Sequence, residues 1–249
     1  MRPPRSYPFF GSCVLALLPL LAVAQPTEIS DRLQRIREGT AGLSDLTFLR
    51  QQPAKNYGPD QVALLGDVLA DYLPNRLGGA AGASLTTYEA AILLVGFVGQ
   101  ERQLDRIPPA LAEYNGVRRA INLARVRLGN AERRANLLKN LADIPVDDDF
   151  NYVVLPLLTY TRQREIFDYL WEQVLTAGAR CHPADAETPG RIDCAYRIIE
   201  ALALTVADFP IAADPEGNLL TDDYAAALAE VRRWYAANHT SYRIRTDTY

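Results

Sequence analysis

Histidine occurs only twice in the 249 residues, methionine once and cysteine three times. Two histidines are a thin supply for imidazole catalysis or for a metal centre. Basic residues are outnumbered, 26 Lys and Arg against 30 Asp and Glu, so the chain has no positive footprint of the kind nucleic acids require. Its one candidate membrane segment, residues 13–21, is an apolar run of about nine residues where a span needs roughly 20, and no later stretch is both long and uncharged enough. No nucleophile elbow, zinc-protease helix or phosphate loop is present. The glycine-rich stretch 78–84 has no lysine to serve a phosphate. These absences leave no catalytic motif and imply no cofactor.

What is present begins at the start of the chain. Arg2 and Arg5 precede the apolar run, which closes on Ala22-Val23-Ala24. A positive start, a short apolar stretch and small residues at the positions a signal peptidase reads make 1–24 a secretory signal, with cleavage expected before Gln25. Cys13 opens the apolar run, whereas a lipoprotein's acceptor cysteine would follow it, so the expected product is soluble and exported, periplasmic or extracellular. Losing Arg2 and Arg5 takes the net charge from −4 to −6. Cys13 leaves with the leader. Cys181 and Cys194 remain, an even pair in an oxidising compartment, and the expected outcome is a disulfide. It would close a ring of about 14 residues, a size worth about 3 kcal/mol. The ring is rich in Pro, Gly and Asp, which marks it as a stapled loop between helices.

The remainder reads as helices almost throughout. Ala, Leu, Arg and Glu dominate, and apolar residues recur at spacings of three and four. Thr27 is placed to cap a helix carrying Ile29, Leu33 and Ile36, stopped by Gly39. Leu43, Leu46 and Leu49 form a second short piece. Pro59 suits the first turn of a third helix, with Val62, Leu65, Val68, Leu69 and Tyr72 as its buried stripe. The glycine-rich stretch 78–84 then predicts a flexible break. On this reading a helical cap at 25–77 precedes a second region at 86–249.

From Thr86 onward a pattern repeats. Residues 93–107, 123–138 and 155–170 each combine an apolar helix, a tight polar turn and a second helix with renewed apolar spacing. The turns fall near 100, 130 and 162, a period of about 30 to 32, which points to stacked helical hairpins. One hairpin cannot bury its apolar face alone, and stacking builds a continuous core. A fourth, divergent unit pairs 195–207 with 224–237 across a longer connection. The stretch 94–102, Leu-Val-Gly-Phe-Val-Gly-Gln-Glu-Arg, followed by Ile107-Pro108-Pro109-Ala110-Leu111, resembles the short HEAT-like repeat. The second unit keeps Gly129-Asn130 at its turn, and the third has no glycine there. The resemblance implies an all-α superhelix of antiparallel hairpins, a fold generally used for protein interaction. It carries over no catalytic residue.

Several residues invite a functional reading. Cys181, His182, Asp185 and Cys194 as metal ligands would have a spacing unlike structural zinc sites, so the disulfide is preferred. Asp147-Asp148-Asp149 suits a helix start, where carboxylates accept backbone N–H groups. Asp214-Pro215-Glu216-Gly217-Asn218 reads as a turn, since its glycine is misplaced for a calcium loop. His239, beside Thr240 and Ser241, sits in a region expected to fray. Asn238-His239-Thr240 is a glycosylation sequon, meaningful only in a eukaryotic secretory pathway. Tyr and Trp are favoured at binding surfaces. Tyr160, next to Arg162 and Arg164 at an inter-helix turn, and Trp234 near the end are therefore the expected contact residues. The alternation Tyr242-Arg243-Ile244-Arg245 suggests an edge strand, a docking peptide or disorder, with disorder preferred.

The resulting expectation is an exported, non-enzymatic binding or scaffold protein that meets a protein partner on a concave surface made by successive second helices. The alternatives are a secreted helical enzyme using carboxylates not paired in sequence, and a structural cell-envelope protein.

Overall fold

The computed structural model describes residues 26–71, 81–183, 190–214 and 216–249. The expected leader at 1–24, Tyr72, residues 78–80 of the glycine-rich break, Asp185 and Pro215 lie outside them. The described chain is all-α, with a single two-stranded ribbon. Helices α1 (Pro26–Glu38), α2 (Leu43–Gln51) and α3 (Pro59–Asp71) come first. Thr27 falls inside the first turn of α1 rather than before it. Gly39 stops that helix with φ 72°, and the Thr40 N–H then reaches back to the Arg35 carbonyl at 2.9 Å. This is the left-handed exit that glycine adopts without a Cβ penalty. Pro59 opens α3 where its missing N–H costs nothing. Ile29, Leu33, Ile36, Leu65, Val68 and Leu69 are fully buried, as their spacing predicts, while Leu43 is 80% exposed.

Helix α4 (Ala81–Val98) begins inside the expected break, so 81–84 is helical and not a linker. The expected second helix of this unit is split into α5 (Glu101–Leu104) and α6 (Pro109–Ala112). Pro108 and Pro109 account for the split, because a proline ring cannot continue a helix that precedes it. Then follow α7 (Asn115–Arg127), α8 (Ala131–Leu141), α9 (Leu155–Thr161), α10 (Arg164–Thr176), α11 (Ala195–Thr205) and α12 (Tyr224–Asn238). The predicted turns separate these helices. Gly129 takes φ 93°, and the Asn130 side chain caps α8 by accepting from the Arg133 N–H at 3.1 Å.

The first helices of successive units pack in a row, α4 on α7, α7 on α9 and α9 on α11. The second helices make a parallel row, α8 on α10 and α10 on α12. Two apolar cores result. One joins α1–α4 to α7. The other gathers α8 through α12 around the fully buried Trp171, whose ring stacks on Tyr235 at 4.3 Å. At Gly96, α4 comes so close to α7 that a Cβ would sit 2.7 Å from the Ala124 Cα and would strike the Tyr160 hydroxyl.

Before α9 the chain makes a widened π turn, Phe150–Val154. Pro156 explains it: with no N–H to give and a ring that crowds the carbonyl four residues back, it spoils the regular ladder at this point. The Asp147 side chain accepts from the Phe150 N–H at 3.1 Å, the capping role expected of the acidic run. The turn buries Asn151, whose Nδ2 donates to the Cys194 carbonyl and to Cys181 Sγ, both at 3.2 Å. Cys181 and Cys194 are disulfide-bonded, their Cα atoms 5.1 Å apart. They staple a short antiparallel ribbon, β1 (Ala179–Cys181) with β2 (Ile192–Asp193), an element the helical reading did not anticipate.

Candidate functional site

Each first helix ends on the same edge of the molecule, and each end leaves carbonyl groups without helical partners. The helix dipole makes this edge electronegative. Arginines collect there: Arg50 closes α2, Arg127 closes α7, and Arg162 and Arg164 flank the turn after α9. Across this edge runs the segment 242–249, extended and ordered, contrary to the preferred expectation of disorder.

The segment is gripped along its length. Ile244 pairs with Val206 at the end of α11: the Arg245 N–H donates to the Thr205 carbonyl and the Ala207 N–H to the Arg243 carbonyl, both at 2.8 Å. Arg164 donates to the Tyr242 carbonyl at 3.0 Å and to the His239 carbonyl, and its guanidinium lies 3.6 Å from the centre of the Tyr242 ring. The Tyr242 hydroxyl donates to Asp168 at 2.7 Å. Further along, Arg127 Nη1 donates to the Tyr160 carbonyl at 2.7 Å and Nη2 to the Thr248 carbonyl at 2.6 Å. Arg162 donates to the Thr159 carbonyl at 2.7 Å and to the main-chain oxygen of Tyr249 at 2.9 Å. The Ala54 N–H donates to the Asp247 carbonyl at 3.0 Å. The Tyr249 ring enters an aromatic and cationic cage of Tyr160 at 5.5 Å, Phe97 at 5.8 Å and the guanidiniums of Arg50 at 5.1 Å and Arg127 at 5.9 Å.

The electrostatics follow from burial. Arg127 is almost fully buried without a carboxylate among its hydrogen-bond partners; desolvation lowers its pKa, which the phenols of Tyr160 and Tyr249 partly oppose. Burial, then repulsion from Arg127, brings Arg162 down to about 10. Arg127 is held by main-chain carbonyls and by the ring faces of Phe97 and Tyr160, and Arg162 by main-chain oxygens of Thr159 and Tyr249. Arg162 also carries φ 54°, a left-handed conformation that strains any residue with a Cβ. It occupies the turn position where the first two repeats carry glycine.

All four expected contact residues touch other parts of the chain, Tyr160 buried and Arg162, Arg164 and Trp234 partly exposed. Tyr160 is buried, with its hydroxyl donating to the Leu93 carbonyl at 2.7 Å past the space that Gly96 leaves. Trp234 is half-buried against Trp171 and Phe209. Arg162 and Arg164 hold the chain's own segment. The edge that holds the segment is built from the ends of the first helices, with Arg164 and Asp168 of α10 at its Tyr242 end. Beside the segment a groove of about 560 Å³ stays open between α9 and α11, bordered by Thr159, Arg162, Arg197, Glu200 and Leu204. Glu200 is buried there between Arg197 at 2.9 Å and the Tyr224 hydroxyl at 2.5 Å. Burial first, then that hydrogen bond, pushes the Tyr224 phenol up to about 12.

A second polar cluster sits by the disulfide. His182 Nδ1 lies 2.5 Å from Asp148 and 2.7 Å from Arg191. Arg191 Nη1 also donates to the Arg180 carbonyl at 3.2 Å. The hydrogen bonds from the His182 side chain and main chain hold the Asp148 carboxyl below its ordinary range. Among the described residues no three His, Cys, Asp or Glu side chains gather as a metal cluster, and no helix is long and apolar enough to cross a membrane. No family model matches the chain, and no curated protein or solved structure matches it either.

Proposed function

We infer that this is an exported, non-enzymatic binding protein of HEAT-like α-solenoid type, which recognises a partner polypeptide in extended form along the edge built from the ends of its first helices. The observation that carries this reading is the segment 242–249. The edge already holds an extended chain by main-chain pairing at Val206 and by arginine side chains on backbone carbonyls, a mode of recognition that reads shape and backbone with one aromatic anchor. The open groove beside it leaves room for a partner to lie along or replace the segment. The leader pattern at 1–24 and the Cys181–Cys194 bond fit an oxidising compartment outside the cytosol.

The test is selection of peptides from a displayed random library on the protein, followed by anisotropy titration of the winners. Enriched peptides should carry an aromatic residue, bind in competition with the segment, and lose at least about tenfold in affinity when Arg162 is changed to Ala, the size of one charge-assisted hydrogen bond. No enrichment, or winners whose binding ignores Arg162→Ala, would overturn the reading.

A further inference from the structure

A second cavity opens on the other side of α7, where α7, α8 and α9 diverge. Its volume is about 370 Å³, within the range of small-molecule sites, about 300–1,000 Å³. Val154, the last residue of the π turn, and Leu157 of α9 line it on one side. Leu123, Val126, Leu137 and Leu141 complete an apolar floor, and the half-exposed Ile144 extends it at one end.

The rim is of one sign. Arg118, Arg119 and Arg133 line it together with side-chain amides, and no Asp or Glu does. That is unusual in a chain with net charge −4. Neighbouring arginines that lie outside the rim are matched to carboxylates, Arg125 to Asp105 and Arg134 to Glu165. Arg118 is held at 2.5 Å by Asn115 Oδ1, which aims it without neutralising it. The side chains of Arg119 and Arg133 have no hydrogen-bond or ion-pair partner among the described residues. Unpaired guanidiniums above an apolar floor attract a group that is anionic at one end and hydrocarbon at the other. The cleft is a pocket bounded by three helices rather than a flat face, which favours a free molecule over a membrane surface.

We propose that this cleft binds a single-chain anionic amphiphile, its head group held by Arg118, Arg119 and Arg133 and its chain laid on the leucine floor. The site is separate from the edge that holds 242–249. The probes are sodium decanoate and dodecanoate below their micellar concentrations, titrated calorimetrically into the full chain. One saturable site is expected, with dodecanoate about tenfold tighter than decanoate, because two methylenes leave water. Arg119→Glu with Arg133→Glu should weaken dodecanoate at least about tenfold through charge reversal. Both side chains are free of protein partners, so the fold should persist, and an unchanged melting curve checks this. Leu157→Ser should weaken binding through the floor while leaving the arginines in place. Anionic phospholipid vesicles, inorganic phosphate and an uncharged decyl glycoside form the other arms. Unsaturable uptake, dodecanoate affinity indifferent to the arginine reversals, or binding of vesicles or phosphate alone would overturn the proposal.

Discussion

Replacing Arg127 by leucine should loosen the junction of the two cores and release the segment 242–249 together. Arg127 spends two charged hydrogen bonds, one on the Tyr160 carbonyl and one on the Thr248 carbonyl, and its guanidinium lies 4.7 Å from the Phe97 ring centre and 4.8 Å from that of Tyr160. A hydrogen bond to a charged group is worth about 1.5–3 kcal/mol net, and a partner left buried without it costs about 1–3. The Thr248 carbonyl can recover water because Thr248 is exposed, whereas the buried Tyr160 cannot do so easily. Leucine keeps some apolar contact and removes the burden of a buried cation. The net loss is therefore about 3 kcal/mol, or roughly 6–12 °C in Tm for a domain of this size. Lysine keeps the charge without the fork and should lose about half as much. Thermal melts followed by circular dichroism give the stability. Hydrogen exchange at the Arg245 amide, bonded to Thr205 at 2.8 Å, gives the state of the segment. An Arg127→Leu protein that melts with the wild type, or one that melts lower while Arg245 keeps its protection, would refute the reasoning.

Gly96→Ala should destabilise by at least about 2 kcal/mol, the scale of overpacking, because the added methyl meets backbone on α7 and the Tyr160 hydroxyl; urea titration measures it, and a neutral result would mean the close approach is absent. Cys181→Ser should lose about 3 kcal/mol under oxidising conditions, the value for a ring of this size, and should match the wild type under reductant; equal midpoints in both conditions would show the pair unbridged. Asp45 accepts from Arg35 at 2.5 Å, from the Gly42 N–H at 2.9 Å and from Arg32 at 3.1 Å, and its carboxyl is held below the ordinary range, first by the Arg35 hydrogen bond. A lowered carboxyl pKa stabilises the fold above the unfolded value, near 4, and that stabilisation fades as pH falls through the lower folded value. Asp45→Asn should therefore weaken the protein at pH 7 and flatten its stability curve below pH 4. A variant as acid-sensitive as the wild type would assign the loss to other carboxylates.

Much of this architecture was legible because it rests on local physics. The helices of α1, α3 and α11 carry apolar residues at intervals that face one way in any helix. Gly129 and Asn130 spell a helix end and the next helix start. The pairing of Cys181 with Cys194 is expected because the third cysteine, Cys13, lies far away in the apolar run near the start of the sequence. What stayed hidden depends on partners far away in sequence. Nothing in Tyr242-Arg243-Ile244-Arg245 says that residue 248 will meet Arg127, 121 positions earlier. Tyr160 stands next to a turn, the usual address of a surface residue, and is drawn inward only because α4 offers a glycine opposite it. Arg162 sits where a glycine would be easier. That mismatch is the one signal in sequence that the third turn does something the first two do not. Arg118, Arg119 and Arg133 look like ordinary solvated charges until the stacking of α7, α8 and α9 brings them to one rim.

The central claim is that the edge formed by the ends of the first helices is a receptor for an extended polypeptide, occupied in this chain by its own segment. A fluorescent peptide with the sequence of residues 240–249, titrated into the wild type and into an Ile244→Ser, Tyr249→Ala variant, tests it most directly. A tethered segment competes at an effective concentration on the order of millimolar, so micromolar peptide should fail on the wild type and bind the variant saturably, with binding lost again when Arg162→Ala is added. Failure to bind the folded variant, or equal binding to both proteins, would contradict the account.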